Sequence, residues 1–202
     1  MILNDYLLSG NGYKVRLLLS MLGQPFDYVE RDIMKGETRT PAYLKQVNPN
    51  GKIPALVLDD GRVLTESNAI LTYLGEGTRF IPADAFARAE MMGWLFFEQY
   101  DHEPNVAVLI SWHDFKGLPE HGDILEPMKQ AGAKRALDLM EKRLSGHDWL
   151  VGDGPSLADI ALYAYTHRAE LGQIDLDPYP GIRGWLGRFA ALPGYVPITW
   201  TP

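Results

Sequence analysis

Three short stretches hold residues whose types and spacing can do chemistry. The first is Ser9-Gly10-Asn11-Gly12-Tyr13-Lys14-Val15, ahead of an apolar run. A hydroxyl or amide at a helix N-terminus can donate to a thiolate, and the helix end favours the thiolate over the thiol. Ser9 or Asn11 would be the donor, with a plain helix cap as the competing role. The two glycines suit a loop that lets a ligand approach closely. The second stretch is Asn50-Gly51-Lys52-Ile53-Pro54-Ala55-Leu56. A proline one residue into a buried strand has no N–H for the ladder and requires an edge or a special geometry. By base rate such a bond is trans. A cis bond would turn the Ile53 backbone outward, where its N–H and C=O could pair with a peptide-like ligand as one more strand. The third is Glu66-Ser67. Ser67 reads as a helix N-cap, and free N–H groups there form a site for a carboxylate. Glu66 beside it can accept from an ammonium.

The elements needed to position these residues follow from the apolar pattern. Ile2 to Leu8 reads as a strand, and Val15, Leu18, Leu19 and Leu22 form a helical stripe that Gly23-Gln24-Pro25 stops. A second strand runs from Phe26 to Arg31. Thr40-Pro41 opens a helix through Leu44 and Val47. Ile53 to Leu58 and Arg62 to Leu64 form a hairpin around Asp59-Asp60-Gly61, and Ser67 opens a helix through Leu74. The order is β-α-β-α-β-β-α, with the first two strands parallel. From Asp84 the pattern is helical only: Ala85 to about Phe115 with a bend near Pro104, Ile124 to Leu144, a helix opened by Ser156-Leu157-Ala158-Asp159, and one through Ile182, Trp185, Leu186 and Phe189.

Composition narrows the chemistry further. The 202 residues include no cysteine, which removes disulfides, cysteine-ligated zinc and a protein thiol nucleophile together. No pair of His with Asp or Glu has metal-ligand spacing, so no metal is expected. The net charge of −7 argues against a nucleic-acid surface. Residues 1–80 hold nine Lys/Arg and nine Asp/Glu, so the whole excess of acid falls after residue 80 and an anionic small ligand suits the first part better. No apolar stretch reaches the ~20 residues of a membrane span, and no secretory leader is read at Met1 to Asp5. A reducing, cytoplasmic location is the expectation.

Together, the Asn50–Leu56 run, Glu66-Ser67, the element order and the Ser156–Asp159 cap resemble the cytosolic glutathione transferase superfamily over essentially the whole chain. The resemblance implies an α/β thioredoxin-like domain over residues 1–76, a linker over 77–86 and an all-helical domain over 87–202, with the active site between the domains. It implies glutathione as co-substrate: Ile53 pairing with the cysteinyl backbone, Pro54 cis, Glu66 and Ser67 holding the γ-glutamyl end, and Lys52 reaching a carboxylate. Ser9 matches the serine of theta-like members and Asn11 the asparagine of some bacterial members, including disulfide-bond reductases of the nu type. Tyr6, inside the first strand, fits a tyrosine mechanism less well, and the cysteine-using branches are excluded. A small apolar electrophile is the expected second substrate. Its pocket is expected to use Leu8, Trp112 and His113, with Tyr100, His102, Tyr163 and His167 also considered and a core or interface role weighed for each. The implied activity is conjugation, with disulfide or peroxide reduction, isomerisation or a non-catalytic binding role as alternatives. The resemblance also implies a homodimer, with Met91 to Tyr100 as its faint sequence signal.

Overall fold

The computed structural model describes all residues, Met1 to Pro202, as two compact units: Met1–Glu76 together with Leu192–Pro202, and Gly77–Ala191. Residues 192–202, grouped by the sequence pattern with the helical part, pack instead with the first unit.

The first unit is built on a four-stranded mixed sheet. Strand β1 (Ile2–Asp5) lies inside it, parallel to β2 (Asp27–Glu30) and antiparallel to β3 (Ala55–Val57), which pairs antiparallel with β4 (Val63–Thr65). The order β2-β1-β3-β4 is what a crossover helix followed by a hairpin must produce, and with the helices it matches the thioredoxin-like expectation. The hairpin turn closes with Leu58 N–H donating to Arg62 C=O, and Gly61 takes φ +84°, where a side chain would be disfavoured.

Helix α1 (Gly10–Met21) crosses between β1 and β2 and is buried from Gly12 to Leu19, which includes two cations, Lys14 and Arg16. Helix α2 (Pro41–Gln46) begins as the sequence predicts, with Thr40 Oγ1 accepting from Tyr43 N–H. Helix α3 (Ser67–Gly75) packs on α1 through Ile70, Leu71 and Leu74.

The returning C-terminal segment lies along α1 and is held through alternate carbonyls. Ser20 Oγ donates to Gly194 C=O at 2.8 Å, Tyr13 Oη to Val196 at 2.6 Å, and Arg16 Nη1 to both Ile198 and Trp200 at 2.7 Å. Turns at 192–195 and 197–200 bring these carbonyls to α1, where Tyr13, Arg16 and Ser20 share one helix face.

The second unit is all helical. Helix α4 (Ala85–Phe97) and α5 (Glu103–Ile110) belong to one run, interrupted by π-helical segments at Glu98–His102 and Ser111–Lys116. The first π segment ends two residues before Pro104, near which the sequence pattern predicts a bend. Helices α6 (Gly122–Leu144), α7 (Leu157–Thr166) and α8 (Pro180–Ala190) complete it. Wholly buried Asp159 accepts from Leu150 N–H, Ser156 N–H, Ser156 Oγ and Trp185 Nε1, all within 3.0 Å. Burial raises its carboxyl pKa and these four donors pull it down. The Ser156–Asp159 cap therefore ties the start of α7 to α8. No helix is long and apolar enough to cross a membrane, and no group of three or more His, Cys, Asp or Glu is placed to hold a metal ion.

Candidate functional site

The segment before β3 is rigid because one carbonyl is held twice. Lys52 C=O accepts from Tyr43 Oη at 2.7 Å and from Asn48 Nδ2 at 3.0 Å, while Asn48 Oδ1 accepts from Asn50 N–H at 2.9 Å. Burial pushes the Tyr43 hydroxyl up to about 12, so it remains a donor at any ordinary pH. Gly51, at φ +61°, sits where a Cβ would meet Arg39 and the Thr38 carbonyl at about 3.0 Å. The next peptide bond, Ile53-Pro54, is cis, as expected. Pro54 is buried and Ile53 is half-buried. The Ile53 N–H and C=O make no hydrogen bond within the chain, since the β3 ladder begins only at Ala55. Exposed Lys52 contributes its carbonyl to this arrangement, and its ammonium has no partner in the chain.

Glu66 and Ser67 join β4 to α3. Exposed Glu66 is the residue before the helix, at φ 67° and ψ 114°, a region that costs a non-glycine residue on the order of 1–3 kcal/mol. Ser67 is not the N-cap that the sequence predicts. It is the first helical residue, and its hydroxyl reaches sideways to Asn11 Oδ1 at 3.1 Å. The first N–H groups of α3 have no intrahelical acceptor.

The turn at Ser9 differs from expectation in a second way. Gly10 and Gly12 are not loop glycines; both lie in the first turn of α1. A Cβ on Gly12 would lie 1.4 Å from Asp5 Oδ1, so Gly12 makes room for a carboxylate of the protein itself. Ser9 is the N-cap of α1, its Oγ accepting from Gly12 N–H at 3.2 Å. Asn11 Oδ1 accepts from Lys14 Nζ at 2.7 Å as well as from Ser67, and Lys14 Nζ lies 3.4 Å from Ser67 Oγ. Asn11 and Ser67, 56 residues apart and predicted for different ends of a ligand, thus meet in one cluster.

Beneath this cluster, Asp5 and Arg16 form a wholly buried ion pair at 2.8 Å. Asp5 Oδ1 accepts from Tyr6 N–H, and Arg16 Nη2 donates to Leu7 C=O at 2.5 Å. Leu7 N–H in turn points at the Glu30 carboxylate at 3.2–3.3 Å, and Glu30 accepts from Tyr28 Oη. Burial and that carboxylate raise the Tyr28 pKa. The turn after β1 is therefore held at Tyr6 N–H and Leu7 C=O by the buried pair and at Leu7 N–H by the exposed Glu30. Burial also pushes the Asp5 carboxyl up to about 6, against the pull of Arg16. Tyr6 lies one residue past the end of β1 rather than within it, and Leu8 is half-buried in the turn that follows.

The remaining candidates lie in the second unit. Trp112 and His113 are half-buried in the 111–116 π segment, where His113 Nε2 contacts Glu126 Oε1 at 2.6 Å. Tyr100 is exposed, and His102 is wholly buried with Nε2 3.0 Å from Thr166 Oγ1. Tyr163 is a core residue, stacked between His167 at 4.8 Å and Phe189 at 4.3 Å. Burial lowers the His167 pKa to about 4, and its neutral ring donates Nδ1–H to the Tyr163 carbonyl at 2.8 Å.

Lys14, Tyr43, Asn48 and the Asp5–Arg16 pair were absent from the sequence-level site. Lys14 and Arg16 did carry a signal: they are the two charges in the stretch Tyr13 to Leu19, whose other residues are apolar or aromatic.

Comparison with known proteins agrees with this geometry. The family models described as glutathione S-transferase N-terminal domain and glutathione S-transferase C-terminal domain match residues 3–78 and 127–188. The crystal structure of a glutathione S-transferase from Pseudomonas fluorescens Pf-5 is 46% identical and superposes with a TM-score of 0.94, covering 98% of each chain. A glutathione transferase from Burkholderia graminis, solved with two glutathione molecules bound per subunit, is 32% identical with a TM-score of 0.83, covering 96% of this chain and 84% of its own. Among curated proteins, the disulfide-bond oxidoreductase YfcG of Escherichia coli K12 is 32% identical over 91% of this chain and 87% of its own length. The chain belongs to the glutathione S-transferase family of enzymes.

Proposed function

We propose that the first unit binds glutathione and presents its thiolate to a small electrophile. The observation that carries this reading is the contact of Asn11 with Ser67, which unites the turn predicted to face the sulfur with the helix end predicted to face the γ-glutamyl group. Ile53 offers an unpaired N–H and C=O for the cysteinyl backbone. Glu66 offers an exposed carboxylate for the ammonium, and the start of α3 offers N–H groups for the α-carboxylate. Lys52 offers an unpartnered ammonium to a further carboxylate.

In conjugation the sulfur attacks an electrophilic carbon, a C–S bond forms, and the leaving group departs with its bonding pair. The thiol proton has already gone to solvent. The protein's part is to hold the sulfur ionised. Of the two candidate donors, Ser9 and Asn11, the role is given to Asn11, with Ser9 as the cap of α1. The acceptor end of Asn11 is engaged by Lys14 and Ser67, which leaves the donor end of the amide facing away from them. Leu8, Trp112 and His113 are the proposed contacts of the second substrate. A homodimer in the cytoplasm is the proposed setting.

A second reading uses the same thiolate on the sulfur of a mixed disulfide. A new S–S bond to glutathione forms, and the released thiolate takes a proton from water. The asparagine at position 11 and the likeness to a disulfide-bond oxidoreductase favour it.

Calorimetric titration with glutathione tests the common part. Millimolar or tighter binding is expected, weakened about tenfold in Glu66→Gln through loss of a charge-assisted hydrogen bond. Undetectable binding to the wild-type protein would refute both readings. Comparing turnover of an aromatic halide with that of a glutathione mixed disulfide then chooses between them.

A further inference from the structure

We propose that Lys14 is a positioning residue, whose buried ammonium fixes the Asn11 amide with its oxygen inward and its NH₂ toward the sulfur. The inference rests on the glutathione site proposed above and concerns how that site is held.

An asparagine side chain can be turned end for end at little cost, and only its surroundings decide which end faces where. Here the surroundings decide. Lys14 is wholly buried, one helical turn after Asn11 on α1, and its Nζ lies 2.7 Å from Asn11 Oδ1. An ammonium has three donors and no acceptor, so only the amide oxygen can face it at that distance. Ser67 supplies a second donor to the same oxygen at 3.1 Å. Its own oxygen, 3.4 Å from Nζ, faces the ammonium, so the hydroxyl proton is free to point at Asn11. The three groups close a ring with a single consistent direction of hydrogen bonding: Lys14 to Ser67, Ser67 to Asn11, and Lys14 to Asn11. Turning the Asn11 amide over would set its NH₂ against the buried ammonium, which has no acceptor to offer, and such a mismatch is costly.

The same ring links the two ends of the bound tripeptide. Ser67 begins the helix assigned to the γ-glutamyl group and Asn11 faces the sulfur, so one buried charge sets both. Lys14 would therefore act on the acidity of bound glutathione without touching it.

The test is the pKa of bound glutathione, followed by thiolate absorbance against pH, together with the KM for glutathione and kcat. In Lys14→Met the pKa is expected to rise by about one unit and KM by about tenfold, the cost of one charge-assisted hydrogen bond. Lys14→Gln, whose amide can still donate to Oδ1, is expected to recover most of the pKa. A purely structural role would move melting temperature alone. Equal pKa values in the wild type and Lys14→Met, or a Lys14→Gln variant as deficient as Lys14→Met, would overturn the proposal. Should Lys14→Met fail to fold, Ser67→Ala removes one donor to Oδ1 and leaves the cation in place. A pKa rise of a few tenths there supports the proposal, and no rise overturns it. A wild-type protein that binds no glutathione would sink the site itself, a different result from a wild type that binds with a lowered thiol pKa that Lys14 does not influence.

Discussion

Helix α1 buries two cations two residues apart, and they serve different ends. Arg16 faces Asp5, the Leu7 carbonyl and the carbonyls of Ile198 and Trp200. It draws together a strand end, the turn before α1 and the C-terminal segment. Lys14, on another side of the helix, contacts Asn11 and Ser67, both proposed to face the ligand. A planar fork with five donors suits the task of joining several fixed acceptors, whereas a compact ammonium suits the task of orienting one small amide. The contrast separates a charge that holds the fold from a charge proposed to tune the site, although both are equally buried.

The largest effect that could break this contrast comes from Arg16→Met. Removing one partner of a buried pair leaves Asp5 uncompensated, and a loss of about 3–5 kcal/mol in denaturant unfolding is expected. A loss under 1 kcal/mol would mean that Arg16 is not the structural member of the two.

Asp5→Asn should produce a smaller effect that depends on pH. The folded carboxyl sits at about 6, above the ordinary 3.8, so the native state holds this proton more tightly than the unfolded chain does. Its contribution to stability is therefore complete below about pH 4 and is lost as pH rises through 6. The stability of the wild type relative to Asp5→Asn should fall by on the order of 2–3 kcal/mol between about pH 4 and pH 7. A flat difference would show that Arg16 offsets the burial of Asp5 in full.

Ser9→Ala should have the smallest effect. It removes the N-cap bond to Gly12 N–H, at a cost of about 1 kcal/mol. Placing Ser9 with the structural residues requires that the acidity of bound glutathione change little in this variant.

Much of this arrangement was legible in the sequence where local pattern carries the information. The element order, the hairpin at Asp59-Asp60-Gly61 and the Thr40-Pro41 helix start each follow from apolar period or turn chemistry. The unusual setting of Pro54 was legible too, though only with its neighbours. What was hidden depends on residues distant in the chain. Gly12 is a glycine because of Asp5, not because of a ligand. Ser67 forgoes its cap for Asn11, 56 positions away. The C-terminal segment joins the first unit through carbonyls, which leave no trace in side-chain pattern. The π segments at 98–102 and 111–116 lie within a helical run and contain no glycine or proline that would announce them. Lys14 is plain in the sequence, but the role proposed for it rests on its contact with Asn11, which the sequence does not show.

The most direct test of the account is the pKa of the glutathione thiol bound to Asn11→Ala, set beside that bound to Ser9→Ala and the wild type. The account predicts a rise of about one unit for Asn11→Ala, the value of one lost hydrogen bond to a charged sulfur, and a change of no more than a few tenths for Ser9→Ala. A rise in Ser9→Ala with none in Asn11→Ala would contradict it.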